Sequence, residues 1–103
     1  MHTRGPDQPL EDAALAKAIA AAAPRVDTAA EAELYRRLAP RVRHYGLRHL
    51  RDAHAAEDLM QQVLLMTLER LRAGKLRQPE KLASFVLGMS RMVVLEARRG
   101  TAR

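Results

Sequence analysis

Apolar residues recur at helical spacing along most of the chain, and no period-two alternation competes with them. The first such stretch is alanine-rich, running from Leu10 to Ala23 with Leu15 and Ile19 one turn apart, and Pro24 stops it. Ahead of it, residues 1–9 hold Gly5, Pro6 and Pro9 among polar residues and read as a disordered lead-in. Thr28-Ala29-Ala30-Glu31 fits a capping box, in which Thr28 bonds the N3 amide and Glu31 reaches back. The second helix that this opens carries Leu34, Leu38, Val42 and Tyr45 on one stripe. Pro40 inside it predicts a kink where the ring meets the carbonyl of Arg36.

Asp52 reads as the N-cap of a third helix that runs to about Leu71. Its two faces differ. Met60, Val63, Leu64, Thr67 and Leu71 make a core stripe, while Asp58, Gln61, Gln62, Leu65, Glu69 and Arg72 make a stripe that is polar except for Leu65. The basic loop Ala73 to Lys81 follows, with Gly74 and Pro79 towards its ends. Pro79 fits the first position of a fourth helix reaching about Arg99, with Gly100 as its C-cap. The fourth helix has a core stripe of Leu82, Val86, Met89 and Val93. The opposite stripe is Ser84, Gly88, Arg91, Leu95 and Arg98, with Arg99 beside it. The expected architecture is all-α, a compact bundle of about four helices in which the second, third and fourth form the packed unit.

Charge adds a direction. The 103 residues carry 18 basic and 12 acidic side chains, for a net +6. Residues 59–103 alone hold 9 basic and 3 acidic groups, so the whole excess lies in that half. Such a half suits a polyanion, either nucleic acid or an anionic membrane surface. No apolar run reaches the ~18 residues of a membrane span. No secretory signal is visible at Met1 to Asp7, so a cytoplasmic setting is expected. Cysteine is absent, which removes disulfides, thiolate catalysis and cysteine-bound zinc together.

Catalytic chemistry finds no footing. There is no Gly-rich phosphate loop, His-Glu-x-x-His motif or nucleophile elbow. His44, His49 and His54 recur every five residues, a spacing that turns each by about 140° and denies them a shared ligand face. Glu11-Asp12 and Glu57-Asp58 are adjacent carboxylates that diverge on a helix. Neither an enzyme, nor a metal, nor a cofactor is expected. What remains is binding. Leu65, ringed by Asp58, Gln61, Gln62 and Glu69, has the form of a small interface anchor. The basic loop and the arginine stripe are the second candidate surface.

These blocks carry a family resemblance. Glu33-Leu34-Tyr35-Arg36-Arg37-Leu38-Ala39-Pro40-Arg41-Val42 is similar to the opening of the region-two domain of extracytoplasmic-function sigma factors. Ala56-Glu57-Asp58-Leu59-Met60-Gln61-Gln62-Val63-Leu64 resembles their next signature. Leu82 to Met92 and Arg98-Arg99 resemble the block after it. The resemblance covers about Asp12 to Arg99 and, with three blocks in order at the right spacing, is specific. It implies a region-two domain over residues 10–99 that serves bacterial transcription initiation. Asp58, Gln61, Gln62, Leu65 and Glu69 would bind the beta-prime clamp helices of core RNA polymerase. Gly74, Lys75, Arg77 and Lys81 of the loop, with Ser84, Arg91, Met92, Arg98 and Arg99, would meet the promoter. There they would recognise and melt the minus-ten element through its non-template strand. An anti-sigma factor is the further partner the resemblance implies.

Departures from the family pattern are Gln62 for glutamate, Leu64 and Leu68 for aromatics, Phe85 for tryptophan and Met92 for asparagine. Methionine cannot make asparagine's hydrogen bonds. Residues 100–103 read as a linker stub, and the second domain, which reads the minus-thirty-five element in the family, is expected to be absent. Two other readings stand beside this one. The first is a helical regulatory module that binds polymerase or an anti-sigma factor without touching DNA. The second is a duplex-binding helix-turn-helix protein, against which stands the long loop from Ala73 to Lys81.

Overall fold

Four α-helices and one helical turn make up the fold in a computed structural model that describes residues 8–102. They are α1 (Gln8–Ala22), α2 (Thr28–Leu50), α3 (Ala53–Arg72), a 3-10 turn at Pro79–Lys81, and α4 (Leu82–Ala102). Among the described residues there is no strand, and the all-α bundle agrees with the sequence reading.

Caps set most of the boundaries. Helix α1 begins at Gln8, ahead of the expected Leu10, and takes Pro9 into its first turn, where a missing N–H is harmless. Residues 1–7, the rest of the expected lead-in, lie outside the described residues. The N-cap of α2 is Asp27 rather than Thr28: the Asp27 carboxylate accepts the Ala30 N–H at 3.0 Å. Thr28 is the first helical residue, and Glu31 is committed elsewhere, to Arg72 of α3. Helix α2 runs unbroken through Pro40, which lies on its exposed side.

Between α2 and α3 the chain turns in two residues. Arg51 adopts the left-handed conformation (φ 55°, ψ 37°) and donates its N–H to the Leu47 carbonyl at 3.1 Å. Asp52 then caps α3, accepting from the amides of His54 and Ala55 at 2.8 and 3.1 Å, as expected. The result is a tight αα-hairpin. Gly46 lets its arms close, because a Cβ there would sit 3.0 Å from Ala56 Cα and Leu59 Cδ2.

At the far end of α3, Gly74 (φ 68°) donates to Leu71 O at 3.0 Å, and Lys75 donates to Arg70 O at 3.0 Å. That pair of bonds is a Schellman motif and releases the chain into the basic loop. Pro79 starts the 3-10 turn, so α4 proper begins at Leu82 rather than at Pro79. Gly100 does not cap α4. It lacks the positive φ that a left-handed cap requires, and the helix runs on to Ala102 through most of the expected stub. Arg103 lies outside the described residues.

The core joins the stripes read from the sequence. Leu34, Leu38 and Val42 of α2, Met60, Val63, Leu64, Thr67 and Leu71 of α3, and Leu82, Val86, Met89 and Val93 of α4 are all buried. Each large aliphatic side chain among them contributes about 1.5–3 kcal/mol by leaving water. Hydroxyls inside the core are satisfied locally: Thr67 donates to Val63 O and Ser90 to Val86 O, both at 2.8 Å. Helix α1 belongs to the packed unit as well, which the sequence reading left out. Ala16 and Ile19 are buried in the core, and Arg37 of α2 pairs with Glu11 and Asp12 at 2.7 and 3.3 Å.

Candidate functional site

Helix α3 presents its non-core stripe to solvent. Asp58, Gln61, Gln62, Leu65 and Glu69 are all exposed, Leu65 by 56%. Among the described residues the side chains of Gln61, Gln62 and Glu69 make no hydrogen bond or ion pair. Asp58 has only an exposed approach to His54, at 3.8 Å. This is a set of free donors and acceptors around one apolar side chain, held on a rigid helix whose other face is core. Arg72 ends the stripe differently. It turns back to Glu31 through two hydrogen bonds of 2.8 and 2.6 Å, and is thus a clamp between α2 and α3. The Glu31 hydrogen bonds are the main reason that the Arg72 guanidinium holds its proton even more tightly than usual.

The loop after α3 forms a cleft of about 540 Å³. Its lining gathers Lys75, Arg77, Lys81 and Ser84 from the expected set and adds Leu76, Gln78 and Phe85. Leu76 and Phe85 are half-buried and pack on the core, so the cleft has an apolar floor and a cationic rim. Gly74 does not line it. Its part is the left-handed turn that starts the loop, and its own surface faces α1 in a separate hollow with Ala16, Ala20 and Leu76. The sequence reading passed over Leu76, Gln78 and Phe85 as site residues. The available signal was an apolar residue between two cations in Lys75-Leu76-Arg77, and the chain's single phenylalanine close behind.

Along α4, Ser84, Gly88, Arg91, Leu95, Arg98 and Arg99 lie on the exposed side, and Met92 is 48% exposed beside them. Arg91 and Arg99 make no ion pair among the described residues. Arg98 is partly engaged: its Nη2 donates to the carbonyl of His49 at 3.0 Å, tying α4 to the last turn of α2. Leu87 and Leu95, 43% and 49% exposed, give this basic surface apolar ground on either side of Arg91.

The histidines do not assemble. His44, His49 and His54 are each exposed, His49 lies with its ring 4.2 Å from that of Tyr45, and no metal-binding group exists among the described residues. No helix among the described residues is long and apolar enough to cross a membrane. The carboxyl of Glu33 is held below its ordinary value, chiefly by a hydrogen bond from Arg36 on the exposed side of α2.

The sigma-70 region 2 family matches the chain over residues 34–103, which takes in α2 from Leu34 onward, α3, the basic loop and α4. No curated protein and no solved structure matches the chain. The family match covers well over half the sequence and spans both exposed surfaces just described. The chain belongs to the sigma-70 region 2 family, the helical polymerase-binding part of sigma factors in transcription initiation.

Proposed function

We propose that this chain docks on the beta-prime clamp helices of core RNA polymerase through α3 and presents its loop and α4 to the minus-ten promoter element. Asp58, Gln61, Gln62 and Glu69 supply polar contacts around Leu65, whose exposure suits a central anchor. Lys75, Arg77 and Lys81 neutralise phosphates at the rim of the cleft, where Ser84 offers a hydroxyl to a base edge. The floor of Leu76 and Phe85 receives a base flipped out of the non-template strand. Stacking on such a ring is worth about 1–3 kcal/mol. Gly74 sets the loop's departure from α3, while Arg91, Met92, Arg98 and Arg99 extend the track along α4. The working unit is residues 10–99, acting in the bacterial cytoplasm, with an anti-sigma factor as the partner that covers these same surfaces.

The observation that carries this reading is the cleft: cations at its rim, an apolar floor, and an arginine-bearing helix leading away from it. A second reading, a regulatory module that binds polymerase or an anti-sigma factor without DNA, draws on Met92. Its thioether stands exposed on α4 and offers no amide to a base. Salt separates the two. With about six phosphates neutralised on a single strand, log affinity falls against log salt with a slope of about −4. A flat dependence, or equal affinity for unrelated duplex, removes the minus-ten reading.

A further inference from the structure

Leu76 borders two spaces at once. On one side it floors the cationic cleft, and on the other it walls the hollow between the loop and α1. The hollow measures about 390 Å³ and is mostly apolar. Ala16, Ala20 and Ala21 of α1 bound it, with Leu71 of α3 and with Leu76 and Pro79 on the loop side. A space of that size lies at the lower end of ligand pockets and is ample for one aliphatic side chain. The side chain of Leu76 is the partition between hollow and cleft.

The two walls of the hollow differ in how firmly they are held. Helix α1 is fixed: Ile19 is buried in the core, and Arg37 holds Glu11 and Asp12 at 2.7 and 3.3 Å. The loop wall is softer. Among the described residues Leu76 and Arg77 make no hydrogen bond; the flanking backbone bonds run from Lys75 to Arg70 and from Lys81 to Gln78. A segment held by side-chain packing alone shifts at low cost. Helix propensity does not account for the hollow either. Leucine is nearly as good a helix former as alanine, and at position 20 it would reach into the space. The alanines keep it open.

We infer that the hollow is the space into which Leu76 withdraws when a base enters the cleft, and that Ala16, Ala20 and Ala21 are positioning residues for base capture. The inference rests on the base-binding reading of the cleft given above. Of the two floor residues, Phe85 is carried by α4 and packs on the core, so Leu76 on the untethered loop is the one that yields. Its withdrawal deepens the cleft beside the Phe85 ring without opening the core, because Leu71 and Ala16 stay buried behind it. Helix α1 precedes residue 34, so this half of the device lies outside the family match.

The test uses the full chain assembled on core RNA polymerase, with polymerase alone as background. One probe is a random-sequence single-stranded DNA; the other is an abasic strand of the same length, which keeps the phosphates and lacks the bases. The ratio of the two affinities isolates base capture from phosphate binding. Ala20→Leu fills the hollow and is expected to lower that ratio by about fivefold or more, leaving the abasic strand and the thermal midpoint unchanged. Ala21→Leu, at the exposed edge of the hollow, should act in the same direction. Ala20→Leu/Leu76→Ala, which moves the isobutyl group from the loop to α1, should recover most of the ratio. A ratio retained in both filling variants, an equal loss on both strands, or no recovery in the double variant overturns the inference. If the intact chain itself binds the two strands equally, the base-binding reading of the cleft falls and this inference falls with it.

Discussion

Glu31 and Arg72 join the first turn of α2 to the last turn of α3 through two parallel hydrogen bonds of 2.8 and 2.6 Å. Glu31 is buried and Arg72 is half-exposed, so the pair closes the open end of the αα-hairpin, opposite the Arg51-Asp52 turn. Such bidentate geometry is specific to arginine and a carboxylate. Glu31→Ala should therefore lower the urea midpoint, because it leaves Arg72 without its partner. Arg72→Lys should recover only part of the loss that Arg72→Ala produces, since an ammonium cannot match the fork. Equal midpoints for the lysine and alanine variants would contradict the bidentate account.

Two glycines should answer the same substitution with opposite signs. At Gly46 an added methyl meets Ala56 Cα, Ala56 Cβ and Leu59 Cδ2 at 3.0 Å, and a backbone atom cannot step aside. Gly46→Ala is expected to destabilise by about 1–3 kcal/mol through overpacking, offset in part by better helix propensity. At Gly88, exposed in α4, a Cβ meets nothing within 4 Å. Gly88→Ala should stabilise by up to about 1 kcal/mol. Chemical denaturation of the two variants beside the parent chain decides both.

Leu65→Arg should leave the cooperative unfolding of the domain nearly unchanged, within about 0.5 kcal/mol, because the side chain stands off the core. It should also reduce association with core polymerase by about 2 kcal/mol or more, some 30-fold, as expected of a central anchor. A fold-breaking effect would place Leu65 in the core instead.

The stripes, the order of helices and the Asp52 cap were legible in the sequence because each rests on local periodicity or on one side chain and its own backbone. Buried Met60, Val63, Leu64, Thr67 and Leu71 show how reliable the spacing of one helix is. The errors arose where two local solutions competed or where a distant partner decided. Asp27 and Thr28 are both good caps, and the choice followed from Glu31, which a residue of another helix had claimed. Gly100 resembled a C-cap only because glycine permits a left-handed turn without requiring one. The cleft's apolar floor was passed over for a third reason, although Lys75-Leu76-Arg77 and the single phenylalanine carried a faint signal of it. Leu76 and Phe85 meet only after the loop folds back on α4, and no spacing rule reports such a meeting.

Acid should reach Glu33 late. Its carboxyl titrates below the ordinary glutamate value of 4.5, mainly because of the hydrogen bond from Arg36. A depressed folded value means that the group's contribution to stability is fully present above about pH 4.5, and it is lost as pH falls through the lowered value. Carboxyl-detected NMR titration should show this depression, and Arg36→Ala should raise the Glu33 midpoint towards its ordinary position. No rise would remove Arg36 as the cause.

The most direct test of the central claim is binding of this chain to the isolated clamp helices of bacterial RNA polymerase, compared with an Asp58→Ala/Gln61→Ala variant. Both residues are exposed on α3, so the variant should keep its fold, which circular dichroism checks. The account predicts saturable binding by the intact chain and a loss of about 5- to 150-fold in the variant, the effect of two polar contacts worth about 0.5–1.5 kcal/mol each. Absence of binding by the intact chain, or equal binding by the variant, would contradict the assignment of α3 as the polymerase face.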